Sequence, residues 1–245
     1  MIELNTFSIA ARCPRTGMLG VAVSTAVPAV GGICSYIKEG VGAIATQSWV
    51  NPYLGIDGLK LMESGLSAAD TLARLLADDP GRDDRQVGIV DARGGVAAHT
   101  GASCVTWAGQ ELGDGFTVQG NMLVGAETVA AMAAAARASA AFDLTERLML
   151  VLEAGQAAGG DKRGKQSAAL KVYNTEAYPW LDLRVDEHRH PVAELRRIFE
   201  IAKHQLLPFT KGMPTRKNLM ATLPGEVTGM LLTPPPYRPG GSGGV

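Results

Sequence analysis

TFSIAARCPRTGMLGVAVS, residues 6–24, is the stretch that decides the fold class. Thr6 to Ala11 and Leu19 to Ser24 are short β-rich runs. Cys13-Pro14-Arg15-Thr16-Gly17 between them is turn chemistry, so the stretch predicts an antiparallel hairpin. Gly20 would weaken an isolated strand, which points to a closely packed layer or to backbone passing near a ligand.

Working outward, the same grammar repeats. Past Pro28, Gly31 and Gly32 the chain reaches a strand at Val41 to Thr46 that runs out into Gln47-Ser48-Trp49-Val50-Asn51. Polar groups at a strand end are natural site material, and Asn51-Pro52 is also turn chemistry that starts the next element. Helices are expected over Tyr53 to Ser64 and from Ser67, an N-cap, with Leu72, Leu75 and Leu76 on one face until Pro80-Gly81 stops it. A second hairpin pairs Gln86–Val90 with Val96–His99 across Asp91–Gly95. Ser103–Trp107 and Phe116–Gly120 read as extended pieces, and Glu127–Ser139 as an alanine-rich helix. A further helix starts at Asp143, where Asp143 and Glu146 have capping-box spacing, and Gly155 is placed to end it. Tyr178–Val185 reads as a strand and Pro191–Gln205 as a helix that begins on proline. Hairpin blocks separated by helical pairs predict an α+β protein with layered antiparallel sheets rather than a parallel doubly wound one.

Composition narrows the function classes. At 245 residues, 46% hydrophobic and 19% charged, the chain has enough apolar content for a substantial core. A net charge of −1 and the absence of a basic run interleaved with aromatics argue against nucleic-acid binding. Cys13, Cys34 and Cys104 are odd in number and widely spaced, as expected of reduced thiols, and no CxxC pair suggests zinc. MIELNTF carries no basic segment followed by an apolar run, and no uninterrupted apolar stretch reaches eighteen residues. A cytoplasmic protein without membrane association, metal or cofactor is expected. From about residue 208 proline and glycine accumulate, which predicts a domain over 1–207 and a Pro/Gly-rich extension over 208–245.

Glu153 to Tyr173, EAGQAAGGDKRGKQSAALKVY, is the stretch most suited to a ligand. Its glycines admit positive φ and close approach, and its charges can cradle an anion or clamp a carboxylate; the same features suit a solvated turn. His99 at a strand end reads first as a satisfied polar residue, with general base as the sharper alternative. His188 and His190 lie near Asp182 and Asp186, but residues two apart in a turn need further partners to hold a metal.

Seven blocks taken together resemble a bacterial family: TFSIAAR (6–12), LGVAVST (19–25), GVGAIATQ (40–47), RQVGIVDARGGVAAHTG (85–101), VQGNML (118–123), EAGQAAGGDKRGKQSAAL (153–170) and LDLRVDEHRHPVAELRR (181–197). The family is domain of unknown function 1028, and the resemblance runs from about Thr6 to Phe199. Its members are similar to the N-terminal nucleophile hydrolases, which implies a four-layer αββα sandwich with two antiparallel sheets between helical layers. The resemblance also implies an amide-bond hydrolase. Thr6 matches the family's leading threonine and would be the nucleophile, with its own α-amine as base. Asn121 and nearby backbone N–H groups would hold the oxyanion, while Gln47, Asp161, Arg163, Gln166 and Ser167 would bind the substrate, a small amide or peptide-like molecule. Met1 to Asn5 precede Thr6, so this chemistry requires their removal. The alternative is a non-catalytic binding or assembly protein of the same fold. A homo-oligomer is expected in either case.

Overall fold

The computed structural model of the chain describes residues 6–104, 107–160, 164–220 and 223–232. In chain order it has β1 (Thr6–Arg12), β2 (Leu19–Thr25), β3 (Ser35–Lys38), β4 (Gly42–Ser48), α1 (Pro52–Glu63), α2 (Ala68–Asp78), β5 (Arg85–Asp91) and β6 (Val96–Thr100). There follow β7 (Gly109–Gly113), β8 (Phe116–Asn121), α3 (Glu127–Ala138), α4 (Leu144–Ala157), β9 (Ser167–Tyr173), β10 (Pro179–Val185), α5 (Pro191–Gln205), α6 (Leu207–Lys211) and α7 (Gly225–Leu232). One sheet has the order β10-β9-β2-β1-β8-β7 and the other β3-β4-β5-β6. Every pairing within them is antiparallel.

The layering follows from alternation along each strand. On β1 the odd residues turn toward helices: a Cβ on Gly155 of α4 would lie 3.0 Å from Phe7. The even residues turn toward the other sheet, where Ala10 joins Leu19, Val21, Ala43, Ala45 and Val90 in one buried cluster. The outer face of the four-stranded sheet packs Ile44, Val87, Ile89 and Ala97 against Leu54 and Met62 of α1 and Leu72 and Leu75 of α2. Helices α3 and α4 cover the six-stranded sheet. The result is the four-layer αββα sandwich, and its two inner layers meet across small side chains.

Local chemistry sets the elements. Gly17, at φ 75°, closes the first hairpin by donating its N–H to Cys13 O at 2.9 Å. Asn51 caps α1 by accepting from Tyr53 N at 3.1 Å, and Ser67 caps α2 by accepting from Asp70 N at 3.1 Å. Asp91 ties the β5–β6 turn to α2 by accepting from Arg93, Gly95 and Ala68 N–H groups.

Helix α1 lies close to its sheet because two glycines face it. A Cβ on Gly55 would sit 2.2 Å from two atoms of the Tyr36 ring, and one on Gly58 would sit 2.6 Å from Ile44 Cδ1. Gly55→Ala gains about 1 kcal/mol of helix propensity but overpacks this contact by about 1–3 kcal/mol. A net loss of stability is expected in urea denaturation, and a rise would show that Tyr36 moves aside freely.

Some expectations are corrected. The strand expected at Ser103–Trp107 is found at Gly109–Gly113, where it pairs with β8; residues 105–106 lie outside the described residues. Gly155 does not end α4, which continues to Ala157; a Cβ there would meet Met132 at 2.9 Å, so the glycine serves close packing. Asp143 sits at the N-cap of α4 without a side-chain capping bond. The four-residue strand β3 is too short to announce itself by periodicity.

Contacts divide the chain into two units, residues 1–196 and 197–245, with the boundary inside α5. The first holds both sheets and α1 to α4. In the second, Val227 is buried while Leu219, Met220 and Leu232 are exposed. No described helix is long and apolar enough to cross a membrane.

Candidate functional site

One end of the inter-sheet layer is polar, although it is as buried as the apolar end. Asn121, Thr6, Thr25 and Ser167 form a continuous row across β8, β1, β2 and β9, each directly opposite the next. Directly opposite residues share a sheet face, so the four side chains stand side by side. Thr6 is 4% exposed and the other three 0%. Thr6 Oγ1 lies 3.1 Å from Thr25 Oγ1. From the facing sheet, Gln47 Nε2 donates to Thr6 O at 3.4 Å.

The network behind Thr6 has a fixed hydrogen-bond direction. Gln86 Nε2 lies 3.1 Å from Gly109 O and 2.8 Å from Gly120 O. Carbonyls only accept, so the nitrogen of Gln86 must occupy that position. Its oxygen then accepts from Gln47 Nε2 at 2.6 Å and from Asn121 Nδ2 at 3.0 Å. Gln47 Oε1 in turn accepts from Ser8 Oγ at 2.7 Å, and Ser8 Oγ accepts from Gln119 Nε2 at 2.6 Å. Every amide orientation thus follows from two backbone carbonyls. By elimination Asn121 Oδ1 and Gln119 Oε1 have no hydrogen-bond partner among the described residues. Gln119 Oε1 packs on Gly88, where a Cβ would come within 2.2 Å. Asn121 Oδ1 is therefore the orphaned acceptor in the Thr6 row, and such a group, left unmet, costs about 1–3 kcal/mol.

Backbone strain gathers at the same end. Ser48, directly after Gln47, has φ 67°, and Met122, directly after Asn121, has φ 52°. Non-glycine residues hold this conformation only when their surroundings impose it, and such positions cluster at functional sites. The chain after Ser48 is held by Arg85, whose Nη1 donates to Trp49 O at 2.9 Å and whose Nε donates to Asp79 Oδ2 at 3.0 Å.

Asp79 is 6% exposed. Burial alone would raise its pKa, but hydrogen bonds from Arg85, Gly81 N–H and Asn51, with the guanidinium charge, outweigh it and hold the carboxyl below its ordinary value. A depressed folded-state pKa contributes stability that is present above the unfolded value of about 3.9 and is lost as pH falls through the folded pKa. The stability advantage of the parent over Asp79→Asn is therefore expected to be flat above about pH 5 and to shrink below about pH 4. A difference that grows on acidification in urea titrations would contradict the pairing.

The other residues singled out in the sequence are placed as follows. Ser167 Oγ donates to Val27 O at 2.6 Å and accepts from Val30 N at 3.1 Å, so its hydroxyl pins the segment after β2. Gln166 borders a cleft of about 560 Å³. Asp161 and Arg163 lie outside the described residues. His99 Nε2 lies 2.9 Å from Arg82 O and donates to it, the satisfied role. Among the described residues no three His, Cys, Asp or Glu side chains converge as a metal site. Cys34 lies 4.0 Å from Gln47 Oε1. Burial pushes its thiol up to about 12, so it is no nucleophile at neutral pH. Sequence reasoning missed Ser8, Thr25, Gln86 and Gln119. The available signal was the polar spacing Thr6-x-Ser8 and Gln119-x-Asn121 on strands that are buried on both faces.

The profile of the family described as "Family of unknown function (DUF1028)" matches residues 6–195. The crystal structure of a DUF1028 protein from Silicibacter pomeroyi is similar with a TM-score of 0.82 and 28% identity, over 90% of this chain and 100% of that one. Anbu (ancestral beta-subunit) from Yersinia bercovieri aligns at 10% identity and a TM-score of 0.37, over 80% of this chain and 94% of that one, and at that level carries no argument. No curated protein matches the chain.

Proposed function

We propose, on the premise that this chain belongs to the family of unknown function DUF1028, that it is an amide-bond hydrolase of the N-terminal nucleophile type with Thr6 as nucleophile. The observation that carries this reading is the wholly buried polar row at the Thr6 end of the inter-sheet layer, with the orphaned Asn121 Oδ1 directly across from Thr6. Buried polar groups cost stability unless they are hydrogen-bonded; here Thr25 Oγ1 meets Thr6 Oγ1 and Gln47 Nε2 meets Thr6 O, while Asn121 Oδ1 has no partner among the described residues.

Once the Asn5–Thr6 bond is cleaved, the free α-amine takes the proton of Thr6 Oγ1 as the oxygen attacks the amide carbonyl. The C–N bond then breaks, the proton passes to the leaving amine, and water hydrolyses the resulting ester to restore the hydroxyl. Thr25 Oγ1 orients Thr6 Oγ1. Asn121 Nδ2 gives one N–H to Gln86 Oε1, and its second N–H, with nearby backbone N–H groups, holds the oxyanion.

Intact-mass analysis of protein from its native host, with a screen of small amides and acyl-amino acids, tests the proposal. A mature chain that begins at Thr6 and hydrolyses an amide supports it. An active chain that retains Met1 to Asn5 rules the mechanism out. A second reading, a binding protein of the same fold, is favoured by the cleft beside Gln166, which needs no nucleophile.

A further inference from the structure

The cleft is lined by Ala26, Lys165, Gln166, Glu187, His188 and Arg189. Three segments build it: the chain after β2, the approach to β9 and the turn between β10 and α5. Two backbone bonds lock them together, Gln166 N to Thr25 O and His188 N to Gln166 O, both 2.8 Å. Thr25 is also the cross-strand neighbour of Thr6, so the rungs that place Thr6 also place the cleft wall. Two strand spacings of about 4.8 Å separate Thr6 from β9, a span of about 10 Å.

The polar groups of the cleft lean toward an anion. Among the described residues none of the ion pairs uses Lys165, Glu187 or Arg189. His188 Nδ1 accepts the His190 N–H at 3.0 Å, which leaves Nε2 as the protonated nitrogen and therefore a donor. Two cations and one N–H donor face a single carboxylate, Glu187. The surplus is one positive charge, with a guanidinium able to grip two oxygens at once.

We propose that this cleft seats the carboxylate of a small ligand. Resting on the hydrolase reading, the substrate is then an amide that bears a free carboxylate, an N-acyl amino acid or a peptide of two to three residues, because an extended chain spans about 3.3–3.6 Å per residue. Glu187 keeps the surplus at one charge and so disfavours a dianion.

Calorimetric titration of the full chain with N-acetylalanine, with its uncharged amide N-acetylalaninamide and with inorganic phosphate tests the assignment. N-acetylalanine is expected to bind at least about tenfold more tightly than either, and more weakly as salt is raised. The double variant Lys165→Ala with Arg189→Ala loses that preference, and Glu187→Gln strengthens binding. Lys165 is half-buried and Arg189 exposed, so the parent's thermal transition is expected to persist. Equal binding of acid and amide, preference for phosphate, no binding, or an unaffected double variant each overturn the assignment. The hydrolase reading fails separately: selectivity for the acid in a protein whose hydrolysis survives Thr6→Ala leaves the carboxylate seat standing without the nucleophile.

Discussion

In a chain that begins at Thr6, Thr6→Ala is expected to abolish amide hydrolysis, with a loss of at least about 10³-fold in kcat, because nucleophile and proton acceptor act as one unit and removal of the oxygen leaves only binding and oxyanion contacts. Stability is expected to change little. Thr6 Oγ1 makes one neutral hydrogen bond, to Thr25, and such a bond contributes about 1 kcal/mol. Lost activity therefore cannot be assigned to unfolding, and matched urea denaturation curves for parent and variant check this. Thr6→Ser keeps the hydroxyl and is expected to retain partial activity. The proton acceptor is an α-amine with an ordinary pKa of about 8, so kcat/KM rises with pH through that region. The chain that retains Met1 to Asn5 has a peptide nitrogen at Thr6, which is not basic, and is expected to be inactive at every pH. Full activity in Thr6→Ala would end the proposal.

Gln86→Met is expected to be the most destabilising single change in the inter-sheet layer, by about 3–5 kcal/mol. Methionine fills the volume but removes both ends of the relay. Thr100 Oγ1, Gly109 O and Gly120 O lose their shared donor, and Gln47 Nε2 and Asn121 Nδ2 lose their shared acceptor; Thr100 and Gly109 are half-buried, and Gly120, Gln47 and Asn121 are buried. Each unmet buried group costs about 1–3 kcal/mol, and partial relaxation keeps the sum below simple addition. Gln86→Glu adds a pH signature. A carboxylate placed against two carbonyls must hold a proton to donate, so its folded-state pKa is raised above the ordinary value of about 4.3. Its stability is then greatest below that value and falls as pH rises through the raised folded pKa. Urea denaturation at pH 4 and pH 7 reads the difference. A glutamate variant equally stable at both would show that the Gln86 nitrogen is not the obligatory donor. A mild loss in Gln86→Met, below about 1 kcal/mol, would show that the relay is not a buried closed system.

The hairpin at residues 6–25, the hairpin at 85–100, the cap at Ser67, and the helix Pro191–Gln205 were all legible from the chain, because turn chemistry, capping and periodicity act over a few neighbouring residues. From those elements the α+β class followed. Three of the candidate site residues lie at strand ends, Thr6 at the start of β1, Gln47 near the end of β4 and Asn121 at the end of β8; the polar strand end pointed to Gln47, and the family resemblance to Thr6 and Asn121. What the sequence could not supply was the identity of the layer they share. In β1 the alternation Thr6-Phe7-Ser8-Ile9 fits a strand with one face in water, and only the second sheet laid over that face turns Thr6 and Ser8 into buried groups. Gln86 and Gln119 escaped notice for the same reason. They are far from Asn121 and Ser8 in sequence or on the opposite sheet, and hydrogen-bond direction exists only once the partners are brought together. Local chemistry thus determined which strands and helices form, since each depends on short-range steric and capping preferences. Tertiary packing decided which polar side chains lose water and must satisfy one another, since desolvation is a property of the assembled layers and not of any single segment.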